Sequence, residues 1–327
     1  MKVLITGGAG FIGTNLVLKY LKDEKCEIYI VDNLSTGKFE NVKNIINNSR
    51  VKFFNKDICD SDIVQFIKDN EFDYIYNLAC PASPQYYLKF PIQTWESSVL
   101  GIRNILNGIK GTGTKLLQAS TSEVYGSAQV TPQNEKYWGN VNCNGVRACY
   151  DEGKRAAESL IYDYIRVNKV NAVVVRIFNT YGPKMDNQDG RIISNFVNQA
   201  LTNSDITIYG DGKQTRSFCY IDDTINALIS IMMKKNIPHN PINIGNPAEI
   251  QVLEVAKLIK KITNSNSKII FTKAMSDDPP RRKPDISYIN KLIGWTPKTN
   301  FEEGLKRCIE YYSKKYRSII YKICSPA

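Results

Sequence analysis

The sequence predicts an α/β protein built on a doubly wound parallel sheet, and three features point to it. Apolar runs of strand length alternate with longer segments of helical periodicity. The runs are nearly unbroken in apolar character, and a glycine-rich turn directly follows the first of them. Alternation of this kind lays helices on both faces of a parallel sheet. Strands covered on both faces read as continuous apolar stretches, not as alternating ones.

The predicted strands lie at 3–5, 28–31, 51–54, 74–78, 116–118 and 173–178, with helices near 12–22, 60–69, 92–110 and 150–168. After Phe178 the run Asn179-Thr180-Tyr181-Gly182-Pro183 breaks the alternation, and the segments beyond it are shorter and richer in turns. A helix at 222–233 and a strand at 241–244 complete the pattern. The expected organisation is a sheet domain of residues 1–180 and 218–245 with a smaller, partly interleaved α/β domain of 181–217 and 246–316. Residues 317–327 are expected to form a loosely attached tail.

Composition narrows the chemistry. The 327 residues are 43% hydrophobic and 23% charged, as in ordinary globular proteins. No apolar run approaches the roughly 20 residues of a membrane helix. The opening Met1-Lys2-Val3-Leu4-Ile5-Thr6 reads as a strand and not as a signal segment, so a cytoplasmic location without membrane association is expected. Eight cysteines without a Cys-x-x-Cys pair argue against zinc and against a disulfide framework. The single histidine, His239, sits in Pro238-His239-Asn240-Pro241, which leaves little for a serine–histidine triad or a metal site. Acid–base work therefore falls to Tyr, Lys, Glu, Asp or Arg, with no metal. The net charge of +11 comes from scattered lysines, which reads as solvated surface and not as a nucleic-acid face. A small polyanion would also profit from that field.

Gly7-Gly8-Ala9-Gly10-Phe11-Ile12-Gly13 stands between the first strand and a helix. Glycines there permit a tight turn, close approach of backbone to a pyrophosphate, and close helix–strand packing, with the phosphates at the positive helix end. Asp32 ends the second strand, where a carboxylate accepts both ribose hydroxyls and repels a 2′-phosphate. The expected cofactor is NAD, not NADP, on a Rossmann sheet.

Tyr150 and Lys154 lie four apart at the start of a helical stretch, hence on one face. An ordinary tyrosine, with a pKa of about 10, is a poor base at neutral pH. A neighbouring ammonium together with a positive nicotinamide ring would favour its phenolate. Upstream, Ala119-Ser120-Thr121-Ser122-Glu123-Val124-Tyr125-Gly126 follows a strand at its carboxyl end, where open α/β sheets place ligands. Thr121 can hydrogen-bond an alcohol undergoing oxidation, and Glu123 sets a carboxylate beside it.

These blocks resemble the extended short-chain dehydrogenases/reductases that modify nucleotide sugars. The likeness narrows through Leu78-Ala79-Cys80-Pro81-Ala82-Ser83-Pro84, Tyr137-Trp138-Gly139-Asn140-Val141-Asn142 and the run from Arg147 through Tyr150 to Arg155. It continues through Arg176-Ile177-Phe178-Asn179-Thr180-Tyr181-Gly182-Pro183, Asp189-Gly190-Arg191, Gly210 to Phe218, and Asp278 to Asp285. Over nearly the whole chain it is similar to the UDP-glucuronic acid decarboxylase (UDP-xylose synthase) family.

That resemblance implies that Tyr150 takes the 4-hydroxyl proton while NAD takes the C4 hydride. The resulting β-keto acid loses carbon dioxide, C5 is protonated, and the hydride returns to give UDP-xylose. It implies roles at the sugar for Glu123 and Arg282. It also implies UDP-sugar contacts from Tyr87, Asn179, Arg191, Gln214, Arg216 and Tyr220; arginine forks suit a diphosphate. Further cofactor contacts are implied for Asn33, Ser35, Thr36, Gly37, Asp57, Ile58, Leu78, Cys80, Ser97, Ala119, Thr180 and Arg191. A homodimer is implied too, through the helices near 92–110 and 150–168.

One departure bears on the substrate. The family usually reads Lys-Thr-Asn where this chain has Glu96-Ser97-Ser98. An anion near the sugar would oppose a glucuronate carboxylate. Either Glu96 points away, or another cation such as Arg282 compensates, or the substrate differs. Three enzymatic alternatives stay open: a 4,6-dehydratase, a 4-epimerase, and a decarboxylase that releases the 4-keto pentose. Ser122 in place of an acid argues against the first, and Glu123 argues against the second. The missing Tyr-Trp-Gly-Asn block in its known members argues against the third. A non-catalytic NAD sensor on the same fold would be expected to lose Tyr150 or Lys154.

Overall fold

The computed structural model describes residues 1–273 and 281–324, with side chains described as far as Tyr316. Asp278-Pro279-Pro280, part of the resembling block, and residues 325–327 lie outside the described residues.

Seven parallel strands form the central sheet in the order Ile242–Ile244, Asn171–Ile177, Lys115–Thr121, Tyr74–Asn77, Lys2–Thr6, Glu27–Val31, Val51–Phe54. The order reverses next to Lys2–Thr6, and in open α/β sheets a crevice opens at such a switch point beyond the carboxyl ends of the strands. Each predicted strand is present within a few residues. Val3, Leu4, Ile5, Ile28, Ile30, Ile75, Leu116, Leu117 and Val175 are all fully buried, as strands covered on both faces require. The helices Phe11–Tyr20, Asp62–Asn70, Ala148–Asn168 and Ile221–Met233 also lie where the periodicity predicts them.

The predicted helix near 92–110 is built in three pieces. Pro91–Glu96 is α-helical, Ser97–Gly101 is π-helical, and Ile102–Ile109 is α-helical again. A π-turn inserts an extra residue per turn, re-aims the side chains around it and is frequent at functional sites. Here it brings Ser98, fully buried, against Gly153 of the long helix: a Cβ at Gly153 would lie 3.1 Å from that of Ser98.

Beyond Phe178 the chain builds three small sheets. Thr180–Tyr181 pairs with Cys219–Tyr220, and Ile206–Tyr209 pairs with Ile269–Thr272. In the third, Thr215–Ser217 is flanked by Glu249–Gln251 and by Arg281–Arg282, setting Arg282 opposite Arg216. The last helix runs from Phe301 to Cys324. No described helix is long and apolar enough to cross a membrane.

One buried ionic knot fixes the sheet to the site. Arg176 donates to both oxygens of Glu158 on the long helix, at 3.1 and 2.7 Å, and to the Tyr125 hydroxyl at 3.0 Å. The Tyr125 hydroxyl donates to Asn243 at 2.8 Å. Removing one partner of a buried pair typically costs about 3–5 kcal/mol. The helix bearing Tyr150 and the turn bearing Glu123 are thus locked to the same strand.

Candidate active site

A cleft of about 510 Å³ opens at the switch point and receives residues from both parts of the chain. Every residue assigned above to cofactor or catalysis lines it. So do Tyr87, Asn179, Arg191, Gln214, Arg216 and Arg282. Tyr220 does not reach the cleft. It is 4% exposed, edge-on to Tyr181 at 5.6 Å, with the Arg307 guanidinium over its ring, so it packs in the core.

At one end the wall is backbone. Gly7 adopts φ +69°, which favours glycine, and a Cβ at Gly13 would lie 2.2 Å from the Gly7 carbonyl oxygen. The helix Phe11–Tyr20 starts at Gly10, which has no side chain to accept its first amides. This cradle fits a pyrophosphate. Asp32 accepts the amides of Ala9 and Leu34, one on each oxygen, both at 2.9 Å. Burial pushes its carboxyl above the ordinary value, against those two amides. Each oxygen keeps lone-pair capacity for a hydroxyl. Asn33 donates to Asp57 at 2.7 Å, fixing the next part of the wall. Of the lysines along the cleft, Lys38 is paired with Asp186 and Lys56 with Asp62.

At the other end the wall is made of side chains. Thr121 ends the strand Lys115–Thr121, and its hydroxyl accepts the Glu123 amide at 3.3 Å, capping the 3-10 turn Ser122–Tyr125. Tyr150 hydrogen-bonds the Thr121 side chain and stacks on Tyr87, with ring centroids 5.0 Å apart and planes 5° from parallel. The Lys154 ammonium donates to the Ala119 carbonyl at 3.0 Å and lies 5.8 Å from the Tyr150 ring centre. The ammonium does not by itself produce a phenolate. Burial, then Cys80 and Glu123, push the phenol above its ordinary value, outweighing the Thr121 hydrogen bond and Arg191. The nicotinamide ring of a bound NAD is the further positive charge that the phenolate needs.

Glu123 is clamped. Arg282 donates to its Oε2 at 2.6 Å, and Arg147 donates to the same oxygen. Arg147 lines the cleft, yet no role was read for it from the sequence. A signal existed, because Arg147 precedes Tyr150 by one helical turn and Glu123 needed a counter-ion. Glu96, the feared anion, is exposed on the helix Pro91–Glu96 and is absent from the cleft wall, whereas Ser97 lines it. Ser98 shares a hydrogen bond with Cys80 at 3.4 Å.

A parallel nucleotide-binding sheet with a glycine turn, an acidic second-strand end and a Tyr-x-x-x-Lys helix facing a strand-end threonine defines an extended short-chain dehydrogenase/reductase. Residues 4–308 match the family model described as GDP-mannose 4,6 dehydratase. The chain is 46% identical over 305 residues to UDP-glucuronic acid decarboxylase 3 of Arabidopsis thaliana, covering 93% of this chain and 87% of that one. It is 46% identical to UDP-glucuronic acid decarboxylase 1 of Danio rerio over 314 residues, 96% of this chain and 73% of that one. Among solved structures it is similar to the UDP-glucuronic acid 4-epimerase of Bacillus cereus in complex with UDP-glucuronic acid and NAD. That match has a TM-score of 0.88 and 28% identity, and covers 97% of this chain and all (100%) of that one. The dTDP-glucose 4,6-dehydratase of Bacillus anthracis, in complex with NAD, matches with a TM-score of 0.86 and 27% identity over 97% of this chain and 98% of that one. The chain belongs to this extended short-chain dehydrogenase/reductase family and, by its curated relatives, to the UDP-glucuronic acid decarboxylases.

Proposed function

We propose that the protein converts UDP-glucuronate to UDP-xylose and carbon dioxide through a 4-keto intermediate, with NAD held in the cleft and regenerated in each cycle. The observation that carries the reading is the Glu123 carboxylate held between Arg147 and Arg282 in the cleft that also holds Tyr150 and Lys154. The glycine cradle from Gly7 to Gly13 would hold the pyrophosphate, and Asp32 the adenosine ribose. When bound, NAD supplies a reversible hydride acceptor for the sugar C4.

Tyr150, as the phenolate that Lys154 together with the positive nicotinamide ring of bound NAD would favour, takes the proton of the C4 hydroxyl, placed by Thr121 on one side and by stacking on Tyr87 on the other. Lys154, tied to the Ala119 carbonyl, keeps a positive charge on that side of the cleft. A C4 carbonyl then stands β to the C6 carboxylate. As carbon dioxide departs, the C5–C6 bonding pair passes to that oxygen, where Thr121 and the Tyr150 hydroxyl are donors; C5 then takes a proton from water, and the hydride returns to C4 as Tyr150 gives its proton back to the C4 oxygen. Arg147 and Arg282 bring more positive charge than Glu123 alone neutralises, which suits an anionic sugar and compensates for the lysine replaced by Glu96. Arg191 and Arg216 suit the diphosphate.

The domain division belongs to the same proposal, with residues 1–180 and 218–245 for the cofactor and 181–217 and 246–316 for the nucleotide sugar. So does a homodimer through the helices 91–109 and 148–168, along which Ile92, Trp95 and Leu100 stand exposed. The described cysteines are free thiols, which suits a reducing, cytosolic setting.

The test is to incubate the purified protein with UDP-glucuronate and follow carbon dioxide, UDP-xylose and NADH absorbance. Carbon dioxide and UDP-xylose in equal amounts without net NADH are expected. No carbon dioxide would sink the reading, and stoichiometric NADH with a 4-keto pentose would replace it with the releasing decarboxylase.

A further inference from the structure

Behind the clamp lies a carboxyl that the mechanism above does not use. Asp151 follows Tyr150 on the long helix, is 8% exposed, and is not part of the cleft wall. Its Oδ2 lies 3.7 Å from Arg147 Nε, while its Oδ1 is buried without a hydrogen-bond partner. A buried carboxylate with an unpartnered oxygen is costly, and the same oxygen costs far less when the group carries a proton. The groups facing it are Arg147, Cys149 and Glu152 from its own helix, Glu123 from the 3-10 turn, Tyr87 from the helix Pro84–Lys89, and Arg282 from its short strand. Burial, and next Glu123, push the Asp151 carboxyl up, against Arg147 and Arg282, to about 7.

The charges in this cluster can be counted. Arg147 and Arg282 together with Glu123 leave one positive charge. An ionised Asp151 cancels it, and an incoming carboxylate would then make the cluster net negative. A protonated Asp151 leaves the positive charge for the ligand.

We infer that Asp151 is a positioning residue for the anionic sugar: it takes up a proton when the sugar carboxylate enters, so that Arg147 is released from Asp151 to serve Glu123 and the ligand. This rests on the proposed substrate. It adds a consequence that the reaction class alone does not require, because binding the carboxylate sugar becomes linked to proton uptake whereas binding the product, whose sugar ring carries no carboxylate, does not. The sign follows from linkage: affinity for the acid sugar falls as pH rises through the carboxyl's own titration, about tenfold per unit between the free and the bound value.

The experiment is titration calorimetry of the NAD-loaded Tyr150→Phe protein, whose turnover is expected to be slowed about 10²- to 10⁴-fold, in buffers of different ionisation enthalpy. UDP-glucuronate is expected to bind at pH 7.5 with uptake of a substantial fraction of a proton, and UDP-xylose with none. In the Tyr150→Phe, Asp151→Asn double variant the uptake disappears. That variant, whose residue 151 is uncharged at every pH, is expected to bind UDP-glucuronate more tightly than its parent at pH 8.5, by up to about tenfold, and equally at pH 6. A purely structural aspartate would not give tighter binding on removal.

Uptake that persists in the double variant, or equal pH dependence in both proteins, overturns the inference and leaves the decarboxylase reading intact. Uptake absent already in the Asp151 protein overturns it without recourse to the second variant. Failure of the unsubstituted protein to bind or decarboxylate UDP-glucuronate overturns the functional reading and this inference together.

Discussion

The two ends of the cleft are built from different materials. The glycine cradle and ribose end of the cleft lies within residues 7–37 and is built on backbone amides, bare Cα atoms and the Asp32 carboxylate, with residues such as Asp57 and Ile58 lining it further on. The sugar end gathers Tyr87, Glu123, Arg147, Tyr150 and Arg282 from well-separated segments, and its contacts are charged or hydroxyl side chains. A backbone site tolerates most side-chain changes but not an added Cβ. A charge-built site fails when any one partner leaves, because the remaining charge stays buried and uncompensated.

The sharpest way to break the first half is Gly13→Ala. The new Cβ would sit 2.2 Å from the Gly7 oxygen and 2.7 Å from the Gly8 Cα, both backbone atoms that cannot swing aside. The expected outcome is loss of bound NAD and with it all turnover, read from the dinucleotide released on denaturing the purified protein. Retention of a full complement of NAD would show that the cradle is not where the pyrophosphate sits.

Tyr150→Phe probes the second half with the complementary signature. It removes a hydroxyl and keeps the stacking on Tyr87, so NAD should stay bound while kcat falls by about 10²- to 10⁴-fold, the range of general acid–base catalysis. Loss of NAD with unchanged turnover per bound cofactor would mean that the phenol holds the dinucleotide and does not move the proton.

The same contrast explains what could be read from the residues. The parallel sheet, the glycine turn and Asp32 were legible because each is a local pattern with one physical reading. Tyr150 and Lys154 were legible because helical spacing puts them on one face. The Glu123 clamp was legible only in part: Glu123 and Arg282 came from resemblance, and Arg147 was passed over because its partner lies 24 residues upstream in another element. The packing of Tyr220 was not legible, because a tyrosine in a resembling block says nothing of which way its ring turns. Here it turns toward Tyr181 and Arg307. The fear about Glu96 came from sequence adjacency. The helix turns that side chain outward and leaves Ser97 facing the cleft, a matter of about 100° per residue that the family comparison ignores.

The smallest expected effect tests whether the sugar end depends on support one layer further out. Arg282 sits on a strand whose neighbour, Arg281, makes a paired contact with Glu249 at 2.7 and 2.6 Å, and Thr215 donates to the same carboxylate at 2.8 Å. The Arg281 hydrogen bonds, outweighing burial, hold the Glu249 carboxyl down to about 2. A carboxyl lowered in the folded state stabilises it fully above the unfolded value of about 4.3, and this is lost as pH falls from there toward 2. Glu249→Gln should therefore lower Tm at pH 7 by no more than about 3 °C, since partly exposed pairs contribute little. The gap from the unsubstituted protein should close as pH approaches 2. In turnover the change should raise KM for the acid sugar more than it lowers kcat, because the strand carrying Arg282 is loosened while Tyr150 and Lys154 are untouched. A kcat loss with KM unchanged would place Arg282 in the chemical step itself and erase the distinction between a charged frame and a reacting centre.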